Sequence, residues 1–161
     1  MQKITPFLWF NGRAEEAMNF YTSVFKDSKV GNIMRYGEAG PGAPGSVLSA
    51  TFQLFGQNFT ALNGGPAFSF TPAISFFINC KTQEEVDEYW DKLSAGGATN
   101  QCGWLQDKFG VSWQVVPDIL GPMLQDKDAE KAKRVMEAML KMTKLDIKTL
   151  REAYDSVMVH E

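Results

Sequence analysis

Covalent catalysis needs a nucleophile with a base in reach, and this sequence is poor in both. It holds two cysteines, Cys80 and Cys102, and a single histidine, His160, next to the last residue. Cys80 closes an apolar run and Cys102 sits in a Cys-Gly-Trp turn. Neither has a histidine to take its proton, and a plain buried thiol is inert. Asp107, in Asp107-Lys108-Phe109-Gly110, has the setting of a turn former rather than of an acid catalyst. No catalytic residue is assigned on these grounds. The groups that remain are neutral hydrogen-bonding side chains, Thr5, Thr60, Ser75 and Gln114, which can orient a molecule without reacting with it.

The elements that would position them come in two copies. An apolar run, Ile4-Thr5-Pro6-Phe7-Leu8-Trp9-Phe10, passes through Asn11-Gly12 into a helical pattern of Ala14, Ala17, Met18, Tyr21, Val24 and Phe25. Glu15 and Glu16 occupy the first turn, where the helix dipole favours acid. A second run, Ala73 to Ile78, leads into Thr82-Gln83-Glu84-Glu85, a capping box, and then Val86, Tyr89, Trp90 and Leu93. The helices align at a constant offset of 69 positions, Glu15-Glu16-Ala17 on Glu84-Glu85-Val86.

Strand signals follow each helix. In the first copy they cover Val30 to Tyr36, a Gly/Pro-rich loop from Gly37 to Gly45, the alternating run Leu48-Ala50-Phe52-Leu54, and Phe59 to Leu62. In the second they cover Thr99 to Cys102, Trp104 to Gln106, and Ser112 to Val116. The expected fold class is α+β. Two βαβββ modules form a curved mixed sheet around a cleft, followed by C-terminal helices capped by Asp128 and Asp146. The chain reads as a single domain, with module one at 1–66, module two at 73–117 and a helical extension at 118–161. The extension's first stripe is Ala132, Val135, Met136, Met139 and Leu140, and its second is Ile147, Leu150 and Tyr154.

Composition bounds the partners. Of 161 residues, 44% are hydrophobic and 22% charged, the balance of a globular protein. The net charge of −3 lacks the basic stripe that nucleic-acid binding requires. The C-terminal lysines alternate with acids and read as a solvated helix face. No run approaches the roughly 20 apolar residues of a membrane span. No secretory leader is evident at the N-terminus, and two cysteines are too few for a disulfide framework, so a cytoplasmic location is expected.

The paired modules, with Phe20-Tyr21 late in the first helix and a Gly-x-x-aromatic turn into each last strand, resemble the vicinal oxygen chelate superfamily. That superfamily includes glyoxalases, extradiol dioxygenases and bleomycin-resistance proteins. The blocks Pro6 to Ala17, Ala61 to Pro66, Cys102 to Leu105 and Asp107 to Pro117 resemble its PhnB-like branch, often labelled demethylubiquinone methyltransferase. The resemblance implies a divalent metal held by one ligand from the first strand and one from the last strand of each module. It places these ligands at Thr5, Thr60, Ala73 and Gln114. None is His, Asp, Glu or Cys, so no metal site and no cofactor are expected. The methyltransferase label fares no better. S-adenosylmethionine is usually held at a Gly-rich turn from a parallel strand into a helix, and Gly64-Gly65 leads into Pro66 instead. The resemblance also implies a homodimer.

Alternation sends Thr5, Phe7 and Trp9 to the side away from the first helix, with Ala73, Ser75 and Phe77 likewise in module two. Thr60, Leu62 and Gln114 join them from the last strands, and Asn63, Trp104 and Trp113 are expected at the rim. Such an aromatic cleft with few polar groups suits a small apolar or aromatic molecule. The leading expectation is a binding protein. The alternatives are an enzyme of the superfamily with an unassigned reaction, and an interaction protein whose Met-rich helices form a dimer interface.

Overall fold

A computed structural model describes residues 2–156, so His160 lies outside the described residues. The chain divides between Phe70 and Thr71 into two compact units. The first holds β1 (Phe7–Phe10), α1 (Ala14–Val24), β2 (Ser28–Arg35), β3 (Val47–Leu54) and β4 (Gln57–Asn63), in the sheet order β1-β4-β3-β2. Only β1 and β4 run parallel, because the helix carries the chain back over the sheet before the strand is laid down. The second unit repeats the pattern with β5 (Ser75–Cys80), α2 (Gln83–Ser94), β6 (Ala98–Thr99), β7 (Trp104–Gln106) and β8 (Ser112–Pro117), in the order β5-β8-β7-β6. Each of the two expected βαβββ modules therefore contributes a four-stranded mixed sheet.

In module one the α1 stripe of Ala14, Ala17, Met18, Tyr21 and Val24 is buried. It packs over the sheet face bearing Leu8, Phe10, Ala50, Phe52, Phe59 and Ala61, all at most 7% exposed. Tyr21, Phe52 and Phe59 stack in series, with centroids 5.9 and 5.4 Å apart. Truncating such a ring costs about 3–5 kcal/mol. Phe55 and Gly56 (φ 49° and 77°) make the two-residue β3–β4 turn, both in the left-handed region that matches the twist of a hairpin.

In module two α2 buries Val86, Tyr89, Trp90 and Leu93. The Thr82 hydroxyl accepts from Glu85 N at 3.2 Å. Glu85 answers to Lys81 N at 3.1 Å, one residue earlier than the expected box. Two placements differ from expectation. The apolar run expected from Ala73 to Ile78 forms its strand only from Ser75, leaving Ile74 75% exposed before β5. The strand expected at Thr99–Cys102 is Ala98–Thr99, because Cys102 and Gly103 both take positive φ (60° and 81°), which turns the chain.

The extension contains α3 (Leu120–Leu124), α4 (Ala129–Leu140) and α5 (Ile147–Asp155). Asp128 and Asp146 cap the latter two through the backbone N–H groups of Glu130 and Thr149. Val135, Leu145 and Leu150 join Val116 and Leu120 in a small core, with Met139, Met142 and Tyr154 packed against it. Met136 and Leu140, expected on the buried stripe, are exposed. The extension is fastened to module two by Cys102 N to Met142 O (2.9 Å) and Gly103 N to Thr143 O (2.8 Å), and by Lys144 with Asp87 (3.0 Å). At Gly103 a Cβ would stand 2.8 Å from Val115 O and 3.0 Å from the Leu145 side chain, so the close approach needs glycine.

Candidate functional site

Strand register fixes what shares the sheet face opposite α1. Phe7 pairs with Thr60 and Thr60 with Thr51; Trp9 pairs with Leu62, Leu62 with Ser49 and Ser49 with Met34. One row further along, Asn58 pairs with Gln53 and Gln53 with Lys29. Partners in register point the same way, so three rows cross the face about 7 Å apart. A cleft of about 400 Å³ lies at the polar end and is lined by Thr5, Lys29, Gly31, Thr51, Gln53, Asn58 and Thr60. Thr60 is 6% exposed, yet its hydroxyl has no hydrogen-bond partner among the described residues, and the side chains of Thr5, Gln53 and Asn58 have none either. Thr51 is committed elsewhere: its hydroxyl accepts from Asn32 N at 2.8 Å, clasping the bulge in β2.

The apolar end is held by close backbone contact. Trp9 Nε1 donates to Gly65 O at 2.9 Å, and its ring meets Phe68 edge-on at 4.9 Å. A Cβ on Gly64 would enter the Trp9 indole at 2.4 Å, so this glycine serves the tryptophan. Asn63 is a structural clasp. Its Oδ1 accepts from Ala14 N (2.9 Å), its Nδ2 donates to Val47 O (3.1 Å), and its carbonyl accepts from Tyr36 Oη (2.7 Å). These bonds wall a second cavity, of about 340 Å³, between the start of α1 and the Gly/Pro loop. That loop folds over the Tyr36 ring, which a Cβ on Gly40 or Gly42 would strike.

Module two places Ser75, Phe77, Gln114 and Trp104 on its own corresponding face, Phe77 and Trp104 both in register with Gln114. There the polar groups answer each other: Gln114 Nε2 donates to Ser75 Oγ at 2.9 Å. Ser112, on the same face, has a buried hydroxyl without a partner. Trp113, expected at the rim, is instead in the core at 4% exposed, beside Phe76. Its indole donates to Asp107 Oδ2 (2.9 Å), whose Oδ1 accepts from Phe109 N (2.9 Å) and Val111 N (3.1 Å). Asp107 is thus the anchor of a turn. Cys80 is fully buried, and that burial, reinforced by Glu85, pushes its thiol up to about 12.

The metal implied by the resemblance can be tested on these positions. Phe7 faces Thr60 and Phe77 faces Gln114, so the module-two counterpart of Thr5 is Ser75 and not Ala73, which lies in the turn before β5. Two threonines, a serine and a glutamine are neutral donors, and a transition metal needs imidazole, carboxylate or thiolate. Among the described residues no group of three His, Cys, Asp or Glu side chains could hold an ion. The residues present do not fit the metal.

The sequence reading missed Lys29, Gln53 and Asn58. Gln53 was visible on the polar side of the Leu48–Leu54 alternation, but Lys29 lies before the expected start of its strand, where β2 is exposed throughout and shows no period.

The model of the 3-demethylubiquinone-9 3-methyltransferase family matches residues 2–116. The chain belongs to this family. A PhnB protein of Bacillus cereus that carries the same methyltransferase name is 48% identical, covering 72% of this chain and 99% of its own, with a TM-score of 0.66. Protein PA1353 of Pseudomonas aeruginosa shares the fold at 20% identity, with a TM-score of 0.61 over 73% of this chain and 98% of its own. No curated protein matches. The extension lies beyond the residues that the family model matches. No helix among the described residues is long and apolar enough to cross a membrane.

Proposed function

We propose that this chain is a small-molecule-binding member of its family that works without a metal, and that the face of β1, β4 and β3 opposite α1 is its binding surface. One observation carries the reading: Thr60 lines a cleft where the superfamily resemblance expects an ion, and its hydroxyl has no hydrogen-bond partner among the described residues. A bound molecule's polar group would give that hydroxyl a partner inside the cleft. Phe7, Trp9 and Leu62 supply the apolar contact on the same face. Ser75, Phe77, Trp104 and Gln114 belong to the proposal as the module-two counterpart. Mass spectrometry of small molecules released from purified protein, with elemental analysis of the same sample, tests it. A stoichiometric transition metal would sink the reading. The expected homodimer is read by sedimentation, and the cytoplasmic location by cell fractionation.

The family's name raises methyl transfer as a second reading. A doubly wound parallel sheet presents S-adenosylmethionine with a Gly-rich turn at a switch point, whereas each sheet here has one parallel pair. Isothermal titration with S-adenosylmethionine separates the two. No heat is expected at micromolar protein, and saturable heat would favour the enzyme.

A further inference from the structure

The module-one face is graded. At one end Lys29, Gln53, Asn58 and Thr5 offer a cation and neutral hydrogen-bonding groups, and no acid lines the cleft. Lys29 has no carboxylate partner among the described residues. Thr60 lies in the middle row, and Trp9 and Leu62 form the apolar end; Trp9 is two rows along and three strands across from Lys29, roughly 20 Å away, with Thr60 between them. A wholly apolar molecule would cover Thr60 and its polar neighbours without answering them, which is costly, and would leave the exposed cation unused. A molecule with an acidic head and an apolar body would meet both ends.

Resting on the binding function proposed above, we infer that the occupant of this face is an amphiphile whose oxyanion, a carboxylate or a phosphonate, pairs with Lys29 and Thr60 while its apolar body lies on Trp9. The test is a titration of the full chain, followed by amide and indole N–H shifts, with phenylacetate, benzylphosphonate and the neutral isostere phenylacetamide. Either acid is expected to bind about tenfold more tightly than the amide, the size of one charge-assisted contact. Lys29→Gln, at an exposed position, is expected to erase that preference, Lys29→Arg to keep it, and Thr60→Val to weaken all three probes. A preference for one acid over the other identifies which oxyanion the site takes. Equal binding of acids and amide, unchanged in Lys29→Gln, would overturn the oxyanion while leaving the binding surface standing. Failure of all three probes to shift module one would overturn both.

Discussion

Thr60 and Gln114 hold the same place in their modules, each beside a phenylalanine on the neighbouring parallel strand. Their surroundings have diverged. Gln114 is bonded to Ser75 across the strands, and of that face's polar groups the Ser112 hydroxyl is left without a partner. Thr60 has no such neighbour and faces a cleft. The turns that feed these strands diverge as well: module one uses two residues at positive φ, module two a longer turn tied down by a buried carboxylate. Module two is thus locked by side chains, while module one is shaped by backbone geometry and keeps its polar groups available.

Removing the lock should have the largest effect. Asp107→Ala strands two backbone N–H groups and the Trp113 indole, and is expected to cost about 3 kcal/mol in urea unfolding. Asp107→Asn should recover part of it, because one carbonyl can still accept from the turn. In module one, Gly64→Ala drives a methyl into Trp9. A loss of about 2 kcal/mol with a shifted Trp9 indole resonance is expected, and an unchanged resonance would break the assignment of that glycine.

Alkaline pH separates the halves differently. The Cys80 thiol lies well above its ordinary 9.0, so the folded state holds its proton more tightly than the unfolded one. The stability this supplies is complete below about pH 9 and fades as pH climbs towards 12. At pH 10 the loss is about 1 kcal/mol relative to pH 8, absent in Cys80→Ala. The smallest effect is expected at Ser112. Its hydroxyl has no partner, so Ser112→Ala should be neutral or stabilising by up to about 1 kcal/mol in the same assay.

The duplicated modules were legible because both helices carry strong apolar stripes, and because Gly56 and Gly110 mark equivalent turns. What escaped the sequence lacked such a pattern. Leu120–Leu124 is too short to show a helical period, and Met136 and Leu140 share spacing with Val135 but not its burial. At the site, Thr5, Phe7, Trp9, Thr60 and Leu62 follow from alternation alone. Lys29 and Asn58 do not, since a residue's cross-strand neighbours are set by register and bulges. Asn63 shows the limit from the other side: alternation and turn signals suggest a rim position, and only the fold reveals that its amide bonds Ala14 N and Val47 O.

One side chain in the second half has a mechanical consequence. Gln83, the first residue of α2, accepts from Ile147 N and donates to Leu145 O and Asp87. It rivets the appended helices to one repeat. The two repeats therefore start as equals and end with unequal bracing, so slow-exchanging amides should accumulate on the riveted side as the unsupported one loosens first.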